Sequence, residues 1–319
     1  MNPLSTIFGI AARTRSALYD RGLLRQRPLQ GPVVSVGNLS VGGTGKTPFV
    51  ILLGELLKSR AMKFDILSRG YRRKSQTTSL VNENGSPRDY GDEPLLLARR
   101  LQVPIIVGAD RYRAGLFAEE RFGPQLHLLD DGFQHRRLHR NFDIVLVSQD
   151  DFTDTLLPIG RLREPLQSLQ RADVIVITND HSSNHSALLA RVVPGKTVWS
   201  VRRGIQLENV PPRPLVFCGI ARPKSFVSQL RASGIEPSAH AFFRDHRAYT
   251  NDDVDNLLRL RDKHCAEGFL TTEKDVINLQ GLASALQPLA IAKVTMHLED
   301  SDNALDTMLR IIAERRQRT

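Results

Sequence analysis

The sequence of 319 residues is short of cysteine, aromatic residues and long apolar runs. Its 2 cysteines, Cys218 and Cys265, lie far apart and outside any C-x-x-C spacing. That excludes a disulfide framework or zinc knuckle and points to a reducing, cytoplasmic compartment. Aromatics are only 6% and show no RNP-like interleaving, so nucleic acid is not an expected partner. No apolar run approaches the ~18 residues of a membrane span. The start lacks the basic n-region and cleavage site of a signal peptide. Neither Thr178-Asn179-Asp180 nor Thr272-Glu273-Lys274-Asp275 spells N-K-x-D, so guanine readout is not expected and ATP is the default nucleotide. Acidic residues are also in deficit. Lys+Arg exceed Asp+Glu by 44 to 34, a net charge of +10, which favours an anionic partner such as an acidic membrane surface or a phosphorylated substrate.

What is present is an ordinary globular composition, 41% hydrophobic and 24% charged, long enough for about two domains. The chain is organised around Ser40-Val41-Gly42-Gly43-Thr44-Gly45-Lys46-Thr47. A β-branched run (Val33, Val34, Val36) leads into it and a helical pattern (Phe49, Leu52, Leu53, Leu56, Leu57) leaves it. Strand, glycine-rich turn and Gly-Lys-Thr opening a helix form the context of a phosphate-binding loop. Glycines let backbone N–H groups crowd around a phosphate, and the helix N-terminus adds a favourable field. Lys46 supplies a point charge for the β- and γ-phosphates and Thr47 a hydroxyl for Mg²⁺. Ser40 stands where the usual pattern has glycine. The doubled glycine is similar to the loop of a variant subgroup of P-loop ATPases, with Val41 in place of that subgroup's extra lysine.

Along the chain, residues 1–30 read as one or two basic helices, with Leu4, Ile7, Phe8 and Ala11 at helical spacing and five arginines against Asp20. Such a helix either lies in a membrane interface or packs on the core with its charges in water. A strand at 64–67 ends in the basic loop Ser68 to Lys74, and Gly91-Asp92-Glu93-Pro94 opens a helix over 95–101. The apolar Leu126 to Leu129 reaches Asp130 and Asp131, a strand-end carboxylate pair of the kind that holds Mg²⁺ in P-loop sites. Strands are expected at 144–147 and 174–178, and Pro211-Pro212-Arg213-Pro214 reads as a linker. The expected fold is α/β: a P-loop core with a mostly parallel, helix-flanked sheet over 1–205, and a smaller α/β domain over 206–319. His135/His139 and His181/His185 are spaced as on a helical face, but no H-E-x-x-H or cysteine completes a zinc site. His246 reads either as a structural histidine or as a cleft residue of the second domain.

Several stretches together resemble one family, the tetraacyldisaccharide 4'-kinases of Gram-negative bacteria. They are Val36 to Pro48, Ser68-Arg69-Gly70-Tyr71, Gly91 to Pro94, Leu129 to Arg137, Leu162-Arg163-Glu164-Pro165, Gly219-Ile220-Ala221, Asp245-His246 and Thr272 to Asp275. Asp-Asp-Gly-Phe-Gln-His behind a P-loop is the most specific of them. The resemblance implies a P-loop core with a smaller domain closing over ATP, and a peripheral association with the cytoplasmic face of the inner membrane; the chain is expected to be a monomer. It also implies transfer of the γ-phosphoryl of ATP to the 4'-hydroxyl of an anionic glycolipid, a tetraacylated disaccharide 1-phosphate. By the family's pattern Asp92 is the base for the sugar hydroxyl and His246 its dyad partner. Lys46 holds phosphates, Thr47 with Asp130 or Asp131 holds Mg²⁺, and Arg163 is a further charge stabiliser. Apart from the resemblance, the residues leave open an ATPase switch of the variant-loop subgroup, a kinase for a soluble sugar or nucleoside, and a non-enzymatic module that binds membrane surfaces.

Overall fold

The computed structural model describes residues 3–71, 73–178 and 192–317. The basic N-terminal segment forms one helix, α1 (Pro3–Asp20). Next come β1 (Val33–Asn38), α2 (Lys46–Ser59), β2 (Phe64–Ser68), β3 (Ser79–Leu80), the short α3 (Pro87–Tyr90) and α4 (Asp92–Leu101). The core continues with β4 (Ile105–Val107), α5 (Arg111–Phe122), β5 (Leu126–Asp130), β6 (Phe142–Val147), β7 (Val174–Thr178) and β8 (Thr197–Gln206). The remainder comprises β9 (Pro214–Cys218), α6 (Pro223–Ala232), β10 (Ala239–Phe242), α7 (Asn251–Lys263), β11 (Gly268–Thr272), α8 (Glu273–Leu279), β12 (Leu289–Leu298) and α9 (Ser301–Gln317).

The 12 strands among the described residues join in the order β10-β9-β11-β12-β8-β7-β6-β1-β5-β2-β4-β3. Pairing is parallel except for β12 with β8 and β3 with β4. Period-two burial explains the layering. On β6, Phe142, Ile144 and Leu146 pack into the cluster that holds Phe49, Leu53 and Leu57 of α2, and Val145 and Val147 face the opposite cluster. On β9, Leu215 and Phe217 meet Val254 and Leu257 of α7, whereas Val216 and Cys218 meet Phe226 and Leu230 of α6. β6 and β9 are therefore covered on both faces, as strands inside a mainly parallel sheet are.

β8 and β12 carry the sheet from one half to the other. Residues 289–292 pair parallel with β11, and 293–298 run antiparallel to 201–206 of β8. No strand is expected at 197–206 from the sequence, because Arg202, Arg203, Gly204 and Gln206 break the apolar pattern. One face of β8 is solvated, and its Trp199 and Val201 supply the buried residues. The expected boundary at 205–206 falls on the last residues of β8.

Candidate active site

The C-terminal ends of β1, β2 and β5 lie side by side, the place where open α/β sheets put their ligands. Each ends in a polar residue: Asn38, Ser68 and Asp130. After β1 the chain turns through the glycine-rich loop into α2, whose N-terminus has no side-chain cap. Gly45 makes that turn at φ +88°, and a Cβ there would stand 2.6 Å from Arg203 Nη2 and 2.7 Å from Met296 Cε. The uncapped N–H groups and the tight glycine turn form the cradle that a phosphate needs.

Two cations converge beside this cradle. Lys46 Nζ donates to Asn38 Oδ1 at 2.9 Å and lies 3.5 Å from Asp131 Oδ1. Arg163 is delivered by backbone pairing of its strand-like segment with the loop, Val41 N–H to Arg161 O at 2.8 Å and Arg163 N–H to Leu39 O at 2.7 Å. Its guanidinium grips Asp131 in bidentate fashion at 3.0 and 2.9 Å and also donates to Asn38 Oδ1. Burial alone would raise the Asp131 carboxyl, but Lys46, Arg163 and Arg111 outweigh it and hold it below the usual carboxylate range. Asp130 is in the opposite state. Burial, with Glu93 and Asp131 nearby, pushes it up to about 7 against the weaker pull of Lys46 and the Ser68 hydrogen bond. Asp130 thus ionises only at a cost that a further cation would relieve, while Asp131 already has two cations beside it. Among the described residues no cluster of three His, Cys, Asp or Glu side chains is placed to hold a metal on its own. His135 and His139 make no such group, and His181 and His185 lie outside the described residues.

Asp92 and His246, 154 positions apart, meet across the cleft. Gly91, at φ +91°, caps α4 and lets Asp92 start the helix. His246 Nδ1 lies 2.8 Å from Asp92 Oδ2 and 3.0 Å from Oδ1. Asn278 of α8 donates to Oδ2 at 3.0 Å, and Glu93 N–H donates to Oδ1 at 2.9 Å. Burial opposes the charge on Asp92, but His246, Lys274 and Asn278 hold its carboxyl down to about 2. His246 sits at φ +59° and Asp131 at φ +52°. Left-handed backbone at a non-glycine residue is a local strain that clusters at functional sites. Ser40, Val41, Gly42, Gly43, Thr44 and Thr47 line one cavity of about 570 Å³, together with Asp92, Asp130, Asp131, Arg163 and His246.

Three residues of this constellation are missed by sequence reasoning. Asn38, fully buried, is the shared acceptor for Lys46 and Arg163, and its own amide donates to Ser40 O at 2.6 Å and Thr44 Oγ1 at 2.8 Å. A polar residue closing the apolar β1 was the available signal. Asn278 and Lys274 reach the dyad from α8; Lys274 lies in the Thr272 to Asp275 stretch that carries the resemblance, which attaches no role to it, and nothing local singles out Asn278.

Fold and site together define a P-loop phosphotransferase of the α/β class. Residues 1–313 match the profile of the Tetraacyldisaccharide-1-P 4'-kinase family, LpxK. The chain is 50% identical over 327 aligned residues to the tetraacyldisaccharide 4'-kinase of Koribacter versatilis, covering 99% of this chain and 100% of that one. It is 38% identical to the enzyme of Aquifex aeolicus, covering 88% and 89% of the two chains. The crystal structure of "apo" form LpxK from Aquifex aeolicus in complex with ATP superposes with a TM-score of 0.77 at 36% identity, over 97% of this chain and 98% of that one. The chain belongs to the tetraacyldisaccharide 4'-kinase family.

Proposed function

We propose that this chain moves the γ-phosphoryl of ATP onto the 4'-hydroxyl of a tetraacyldisaccharide 1-phosphate, a step of lipid A biosynthesis. The observation that carries the reading is one cavity holding both the P-loop Lys46 and the Asp92–His246 pair. Phosphoryl transfer asks mainly for positioning and charge neutralisation, with a group to receive the hydroxyl proton.

In this reading the loop amides and Lys46 hold the β- and γ-phosphates, and Asn38 fixes where the Lys46 ammonium sits. Thr47 and Asp130 would hold Mg²⁺, which when bound supplies charge neutralisation on the phosphate oxygens. The raised carboxyl of Asp130 fits that partner, since a nearby dication relieves the repulsion from Glu93 and Asp131. Asp131 anchors Lys46 and Arg163, and Arg163 acts through that anchor. The dyad takes the acceptor's proton, with Asp92 as the resident negative charge and the imidazole as its partner.

The segments over 1–205 and 206–319 work as core and closing domain in this account, with Arg222 on Asp150 at 3.1 Å and Asn278 on Asp92 among the contacts that link them. Leu4, Ile7 and Ile10 stand 59%, 63% and 58% exposed on α1, among basic residues. That combination suits a peripheral monomer whose α1 lies on the anionic cytoplasmic face of the inner membrane. No helix among the described residues is long and apolar enough to cross a membrane.

The test is transfer of labelled γ-phosphate from ATP to a detergent-dispersed tetraacyldisaccharide 1-phosphate, with Lys46→Ala beside the wild type. Label in the lipid, lost in the variant, supports the reading. An unlabelled lipid with steady release of free phosphate would point to an ATPase switch instead.

A further inference from the structure

Lys274 has no part in the reaction as described above, yet it reaches the dyad. Its side chain is only 16% exposed. Around its Nζ stand His246 Nε2 at 3.3 Å, Glu93 Oε1 at 3.4 Å, Asp245 Oδ1 at 3.5 Å and Asp92 Oδ2 at 3.8 Å. The backbone beneath it is fixed independently. Glu273 takes two bonds from Arg100 of α4, both at 3.0 Å. Asp275 accepts from Gly219 N–H at 2.7 Å and from the Tyr249 hydroxyl at 2.8 Å.

An ammonium group only donates hydrogen bonds. Its contact with Nε2 therefore uses the ring's lone pair, which leaves Nδ1 to carry the hydrogen that faces Asp92. We propose that Lys274 is the positioning residue of the dyad: by donating to Nε2 it fixes the His246 tautomer that carries its hydrogen on Nδ1 and donates it to Asp92. This rests on the dyad reading above.

Charge bookkeeping shows why a cation is needed there. The groups facing His246 and Lys274 are Asp92 and Glu93 from α4, Asp245 from the loop after β10, and the Tyr71 ring 5.6 Å from the imidazole. A ring with hydrogen on both nitrogens could not accept from Lys274, so the ammonium selects the form with its one hydrogen on Nδ1. Lys274 thereby fills the Nε2 lone pair and leaves Asp92 as the group of the dyad that receives the hydroxyl proton.

The experiment compares the full chain, Lys274→Met and Lys274→Arg by the pH profile of kcat/KM for lipid phosphorylation and by ¹⁵N spectra of the His246 ring. In Lys274→Met the acidic limb is expected to move up by about one pH unit, as loss of a unit charge at such distance in a partly solvated site implies. Its KM for ATP stays unchanged, Nε2 becomes protonated near pH 7, and Lys274→Arg restores the profile. A loss of rate that is flat in pH, with the Nδ1–H tautomer intact in Lys274→Met, overturns the proposal. So does a wild-type spectrum with hydrogen on Nε2, a result that needs no folded variant. The spectra require no turnover, so a wild type that fails to phosphorylate lipid refutes the kinase reading without touching this one.

Discussion

Asp130 offers the sharpest handle on the metal site. Its carboxyl rises from 3.8 to about 7, mainly through burial and then through Glu93 and Asp131. At 1.36 kcal/mol per unit, ionising it in the metal-free protein costs about 4 kcal/mol as an upper value. The sign follows from linkage: a raised carboxyl costs nothing below the unfolded value near 4. The cost grows as pH climbs toward 7 and is complete above it. Asp130→Asn should therefore stabilise the metal-free chain above pH 7 and leave it nearly unchanged near pH 4. Mg²⁺ must displace the same proton, so below pH 7 wild-type affinity should fall by up to tenfold per unit. Calorimetric titration of Mg²⁺ into protein with ADP, at pH 5.5, 6.5, 7.5 and 8.5, measures this. Asp130→Asn under the same conditions corrects for titration of the nucleotide itself. The wild-type to variant affinity ratio is expected to climb to about pH 7 and then level off. A ratio constant across the range refutes the role given to Asp130.

Asp92→Ala should lower kcat by about 10²–10⁴ with little change in ATP affinity, as expected for loss of a proton-accepting unit. A near wild-type kcat removes Asp92 from the chemistry. Ile7→Asp with Ile10→Asp should release the protein from anionic vesicles in a sedimentation assay, since both side chains project from α1 into solvent. Unchanged partitioning makes the helix merely structural. Gly45→Ala forces a Cβ onto φ +88° and against Arg203 and Met296, so thermal unfolding should report a loss of about 1–3 kcal/mol and ATP binding should weaken.

The parts legible in the sequence are those whose chemistry is contiguous along the chain. A phosphate loop must supply its amides, lysine and hydroxyl from one turn, so Ser40 to Thr47 could be read at sight. Asp130 was legible because a carboxylate at the end of an apolar run stands out. The resemblance to a family named Asp92 and His246, but their contact depends on the second half of the chain folding back over the first, which no local pattern encodes. Asn38 and Lys274 act through partners 125 and 28 residues away, and their types are common in ordinary surface positions. β8 was hidden for a different reason. Its solvated face carries Arg202 and Gly204, so the strand has too few apolar residues to show a period, and it is held by pairing with β7 and β12.

The most direct test of the account is the fate of the γ-phosphoryl when ATP and the tetraacylated disaccharide 1-phosphate are both present. ³¹P spectroscopy of the recovered lipid should show a second phosphomonoester, on the 4' carbon, with one formed per ATP consumed. ATP loss that leaves the lipid with its single phosphate, or a new ester at any other hydroxyl, would contradict it.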